Sequence, residues 1–85
     1  MEEKQLASAA NLTDLELRIL EFERQWWRFA GSKEAAITAE FSLSAPEYFQ
    51  LLNDLIDRDD ALAAAPLLVK RLRRLREARI AARTR

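Results

Sequence analysis

The residues of this chain best suited to reading a base pair are Ser44, Gln50 and Asn53. A side-chain amide donates and accepts together, the pattern an adenine edge presents in a major groove, and a hydroxyl can bond either kind of group. A second set, Lys70, Arg71, Arg73, Arg74 and Arg76, has the chemistry of phosphate neutralisation, which gives affinity through counterion release and carries no sequence information. Glu47 and Asp54 stand among the first set and oppose it, because each brings negative charge near phosphates, although a carboxylate also accepts from the cytosine amino group. A merely solvated helix face accounts for the same polar residues. Reaction chemistry is poorly provided for. With no cysteine and no histidine, the chain lacks a thiol nucleophile, an imidazole base and the usual soft metal ligands. Glu21 with Glu23, and Asp59 with Asp60, fall on helix surfaces or at a helix start, with no glycine-rich phosphate loop beside them. Asp57, Asp59 and Asp60 lack the spacing and the glycine of a calcium loop. The expectation is a chain that is not an enzyme and has no catalytic residue, metal or cofactor.

These side chains need helices to hold them, and capping chemistry supplies the punctuation. Ser44 and Glu47 form a capping box, Leu43 and Tyr48 are placed as its hydrophobic staple, and Pro46 sits in the first turn, so a helix is predicted over about 45–56. A shorter helix over about 33–41 precedes it, capped by Ser32 after Gly31 has closed an earlier helix in the left-handed conformation. Thr13 with Glu16 makes another capping box, with Leu12 and Leu17 as the staple. At about 100° per residue, Leu15, Ile19, Phe22, Trp26 and Phe29 then share one face, which is assigned to the core. Leu20 and Trp27 lie well around the helix from that stripe. Trp27 either packs beneath the last helix or joins Leu20 in a partner or dimer interface, where tryptophan is often a hot spot. Ile37 and Phe41 point inward from the second helix, and Tyr48, Phe49, Leu51, Leu52, Leu55 and Ile56 give the third a broad apolar sector. Asp57 or Asp59 is placed to cap a short helix that Pro66 ends. The last helix, about 67–82, carries a narrow seam of Leu68, Leu72, Leu75 and Ala82 amid arginines.

One glycine and two prolines in 85 residues leave little material for hairpins, so the fold class is all-α. A single core of this size is close to marginal, and a dimer or bound partner would help it. The chain divides into a frayed leader at 1–11, a helical domain at 12–65 and a basic helix at 66–85, packed on the domain or extending from it. Its net charge of zero hides a division. Residues 1–60 hold 13 acidic and 6 basic groups, whereas 61–85 hold 1 acidic and 8 basic, so the halves carry minus seven and plus seven. The basic arm either grips an anion or folds back on acidic neighbours. Surface ion pairs are worth only about 0–1 kcal/mol each, which favours phosphate binding as the reason for so many. No apolar run is long enough to span a membrane, the start is unlike a signal peptide, and the basic helix lacks aromatic membrane anchors. The cytoplasm is the expected compartment.

Ile37, Phe41, Leu43, Tyr48 and Leu51 occupy the buried positions of a helix-turn-helix, with Ser42 where that pattern usually has glycine and Thr38 where it usually has alanine. The stretches 19–27, 31–34, 48–53 and 68–76, which include the Trp26–Trp27 pair and the late Leu-Val-Lys-Arg-Leu-Arg-Arg-Leu-Arg run, together resemble a family of small actinobacterial proteins catalogued as a domain of unknown function. That resemblance implies a helix-turn-helix type of protein with no catalytic residues to transfer. It also places an aspartate before the proline of the last helix, where this chain has Ala65. The expected function is a small DNA-binding transcriptional regulator, possible as a homodimer, that reads bases with 45–56 and grips phosphates with the last helix. The competing expectation is a protein-interaction adaptor, for example of the transcription machinery, that uses its acidic face and Trp27.

Overall fold

Helices α1 (Asp14–Gln25), α2 (Lys33–Phe41), α3 (Ala45–Ile56), α4 (Asp59–Ala64) and α5 (Pro66–Thr84) follow one another through residues 11–84, the part described by the computed structural model. Among the described residues there is no strand, and a 3-10 turn at Trp26–Arg28 follows α1. The expected leader lies outside the described residues, apart from Asn11.

The starts of the helices follow from their caps. Thr13 Oγ1 accepts from the Glu16 amide at 3.0 Å while the Glu16 carboxylate accepts from the Thr13 amide at 2.9 Å. Ser44 and Glu47 repeat the exchange at 3.2 and 2.9 Å, and Ser32 Oγ accepts from the Ala35 amide at 3.1 Å. Each such cap satisfies amides that the helix itself leaves free. At the other end of α2, Ser42 takes a left-handed conformation with φ 58°, and its amide donates to the Thr38 carbonyl. A serine therefore occupies the backbone region where glycine carries no steric cost. Gly31, at φ 86°, takes the other left-handed position, as the sequence suggested.

The core is built on aromatic rings. Phe22 of α1 lies 5.4 Å from Phe41 of α2, 5.7 Å from Tyr48 of α3 and 5.5 Å from Phe29 beyond the 3-10 turn. Ile19, Ile37, Leu55, Ile56 and Val69 complete the interior, each side chain wholly buried. Burying a side chain of this size contributes about 1.5–3 kcal/mol.

Several sequence expectations need correction. The helical stripe predicted through Phe29 breaks at Gln25, where the backbone leaves the helix at φ −147°, and the tighter turn that follows returns Phe29 to Phe22. Leu15, in the first turn of α1, is exposed, while Leu20 is only 4% exposed, because α5 packs against α1 and widens its buried face. That burial removes Leu20 from any surface a partner would meet. Leu17 and Leu51 are also exposed. Neither Asp57 nor Asp59 caps α4: its cap position is Arg58, which makes no side-chain cap bond. Asp57 instead follows the last residue of α3. Arg58 fastens α1 to α4, donating to Asn11 O at 3.1 Å, Glu16 at 2.8 Å and Asp60 at 2.8 Å. Ala65 is buried and gives α5 no side-chain cap.

Candidate nucleic-acid interface

The basic residues of α5 divide into two groups according to the side of the helix they leave from. Leu68, Val69 and Leu72 hold α5 on the domain, and Arg73 and Arg76 depart from that same side. Arg73 Nε donates to the carbonyl of Ile56, the last residue of α3. Arg76 donates to both carboxylate oxygens of Asp57, at 2.7 and 3.3 Å, and to the Asn53 carbonyl at 3.5 Å. Both arginines meet the free carbonyls at the C-terminus of α3, where the helix dipole favours positive charge. The Arg76 hydrogen bond holds the Asp57 carboxyl below its ordinary range. Of the five expected phosphate contacts, these two are thus committed to the fold.

Lys70 and Arg74 point the other way and Arg71 leaves from the flank between the two sides; all three are exposed and have no acidic partner among the described residues. With Arg24 of α1 they surround a surface depression of about 360 Å³ whose apolar lining is Leu67 and Leu68. Arg24 carries only a loose pair with Glu21, 3.5 Å apart and exposed on both sides. Leu67 is 83% exposed at the centre of this basic face. Sequence reasoning missed Arg24, because its contribution depends on how α1 lies against α5.

The three residues expected to contact bases are not brought together. Ser44 is engaged on both its amide and its hydroxyl by Glu47. Those bonds hold the Glu47 carboxyl below its ordinary range. Gln50 Nε2 donates to Asp54 at 3.2 Å, one helical turn away. The outward face of α3 consequently shows Glu47, Gln50 and Asp54 beside an apolar patch of Leu43, Pro46 and Leu51. Asn53 lies on a different side of α3, where it borders a groove of about 390 Å³ beneath α5. The aromatic walls of that groove are Trp26, Trp27 and Phe49; Arg71 and Arg79 of α5 reach into it, with Leu72 and Leu75 between them. Trp27 is 60% exposed, so it stands at the edge of the groove and is not packed under the terminal helix. Leu20 does not accompany it.

At the floor of the same groove lies a polar network that the sequence did not disclose. Glu23 is 3% exposed, accepts from the Tyr48 hydroxyl at 2.6 Å and pairs with Lys33 at 3.1 Å. Lys33 lies 5.2 Å from the Trp26 ring centre and 5.4 Å from that of Phe49. Burial, together with the adjacent carboxylate, pushes the Tyr48 phenol far above its ordinary value, so it remains a donor at any ordinary pH. The signal in the sequence was position: Glu23 stands one residue after Phe22 and three before Trp26, within the core-facing sector of α1. No group of carboxylates able to hold a metal ion occurs among the described residues, and no described helix is long and apolar enough to cross a membrane.

No curated protein and no solved structure matches the chain. One family model does match, over residues 11–84, and thus covers every described helix and both surfaces of α5. The chain belongs to the family described as "Protein of unknown function (DUF3263)".

Proposed function

We propose that this protein binds nucleic acid, with Lys70, Arg71, Arg74 and Arg24 neutralising phosphates and α2–α3 serving as a helix-turn-helix-like support. The observation that carries this reading is the division of α5. Arg73 and Arg76 have partners that explain them structurally, whereas three of the cations on the outer side have none among the described residues and share one face with Arg24. Crowding like charges without a partner costs stability, and a phosphate backbone is the ligand that repays it. The acidic outward face of α3 moves the centre of binding away from Gln50 and toward α5. Regulation of transcription is a use open to such a protein in the cytoplasm, with DNA as the natural duplex partner.

The test is binding to random-sequence duplex DNA by fluorescence anisotropy across a salt series. Affinity is expected to fall steeply with salt, and Lys70→Ala, Arg71→Ala and Arg74→Ala should each weaken all sequences alike and lower the salt slope by about 1. Absence of binding at low salt would sink the proposal. A second reading, a protein-interaction adaptor, rests on the apolar surface of exposed Pro46 and Leu51 with half-buried Leu43, next to Glu47 and Asp54. That surface repels phosphate and suits an apolar protein partner with a basic rim.

A further inference from the structure

We infer that the groove beneath α5 takes an unpaired base of a single nucleic-acid strand, stacked on Trp27, so that the protein prefers single strands to duplex. This rests on the nucleic-acid reading above and names the form of nucleic acid. Three observations carry it. First, the two tryptophans have different roles. Trp26 is partly buried with the Lys33 ammonium over its ring, while Trp27 is 60% exposed and has no ring or cation contact among the described residues. An indole left open at the edge of a groove offers a flat stacking face. Second, the charge of the groove is positive. The one carboxylate in it, Glu23, is already matched by Lys33, whereas Arg71 and Arg79 have no acidic partner among the described residues. Third, Arg71 also belongs to the outer basic face, so a backbone held by Lys70, Arg71 and Arg74 passes the mouth of the groove. Asn53 at the rim adds an amide that can bond a base edge.

Aromatic platforms flanked by cations are the means by which proteins bind single strands, because every base has a face to stack and only unpaired bases present it. A duplex hides those faces and can use the outer cations alone. The same groove would hold an acidic peptide less well, since a carboxylate side chain brings charge to the arginines but nothing flat to the indole.

The experiment compares a fluorescein-labelled oligothymidylate of roughly twelve nucleotides with a duplex of equal length, using the full chain, Trp27→Ala, Trp27→Phe and Arg71→Ala, with circular dichroism to establish folding. Trp27→Ala is expected to weaken single-strand binding by about 5- to 150-fold, the worth of one stacked base, and to change duplex binding less than about twofold. Trp27→Phe should recover most of the loss, Arg71→Ala should weaken both forms, and oligothymidylate should quench tryptophan emission in the unmodified protein but far less in Trp27→Ala. Equal effects of Trp27→Ala on both forms, or no effect on either, would overturn the inference while leaving the outer basic face intact as a duplex site. A change in oligomeric state with unchanged oligothymidylate binding would overturn it in favour of a protein contact at Trp27. Binding of neither nucleic acid overturns the nucleic-acid reading itself.

Discussion

Replacing Tyr48 by phenylalanine removes one oxygen and leaves the ring. The contacts of that ring with Phe22, Phe41 and Phe49, at 5.4–5.7 Å, survive the change. What disappears is the 2.6 Å hydrogen bond to Glu23, whose carboxylate is then left with Lys33 alone at 3.1 Å. A hydrogen bond to a charged group contributes about 1.5–3 kcal/mol, and the upper part of that range applies when the charge remains buried without its donor. A domain of 85 residues has a total stability of about 4–13 kcal/mol. The substitution should therefore remove a substantial fraction of it, and lower Tm by roughly 6–24 °C. Urea unfolding followed by circular dichroism at constant m-value measures the loss, and a cycle with Glu23→Gln should give a coupling of about 0.5–3 kcal/mol. A loss under about 0.5 kcal/mol, the size typical of surface substitutions, would refute the argument that this carboxylate depends on the phenol.

Other substitutions probe the rest of the architecture. Ser42→Gly should stabilise the protein by about 0.5–1 kcal/mol, since glycine adopts φ 58° without strain and the relief outweighs its extra freedom in the unfolded chain; thermal unfolding decides. Arg73→Ala should cost about 1–3 kcal/mol through the lost cap on Ile56, while Arg74→Ala, on the outer side of the same helix, should stay within about 0.5 kcal/mol in the same urea titration. Asp57 has its pKa lowered by Arg76, so its contribution is present above the carboxyl value of the unfolded chain and is lost as pH falls through the folded value. Asp57→Asn should accordingly flatten the acid limb of a stability–pH profile, and an unchanged limb would show that the pair is inert.

Local chemistry was legible in the sequence to the extent that it was local. The capping boxes at Thr13 and Ser44, the left-handed Gly31 and the bounds of α2 and α3 each depend on residues within a few positions of one another, and the structure has them where the spacing placed them. Burial was read less well wherever it depends on a distant helix. Leu20 is covered because α5 returns to α1, whereas Leu15 in the first turn stays exposed; neither is visible in the periodicity of α1. The candidate site followed the same rule. Charge segregation pointed to α5, but which of its arginines remain free depends on where α3 ends, some twenty residues earlier in the chain. The expectation of Glu23 on a helix surface fails: a carboxylate on a helix normally means solvent, but this one is buried with two partners that come from separate helices.

The division between an acidic first part and a basic last helix also governs how this protein is felt at a distance. Zero net charge suggests indifference to a polyanion, yet the molecule extends 47 Å along its longest axis, while the Debye length at physiological salt is about 8 Å. Acidic groups farther from the outer face of α5 than that are screened from whatever approaches it, and the face acts locally as a polycation. In roughly 0.01 M salt the Debye length grows to about 30 Å, and the acids come back into view. Attraction to a polyanion should then rise less steeply than counterion release alone predicts, while the separation of charge orients the protein before any contact forms.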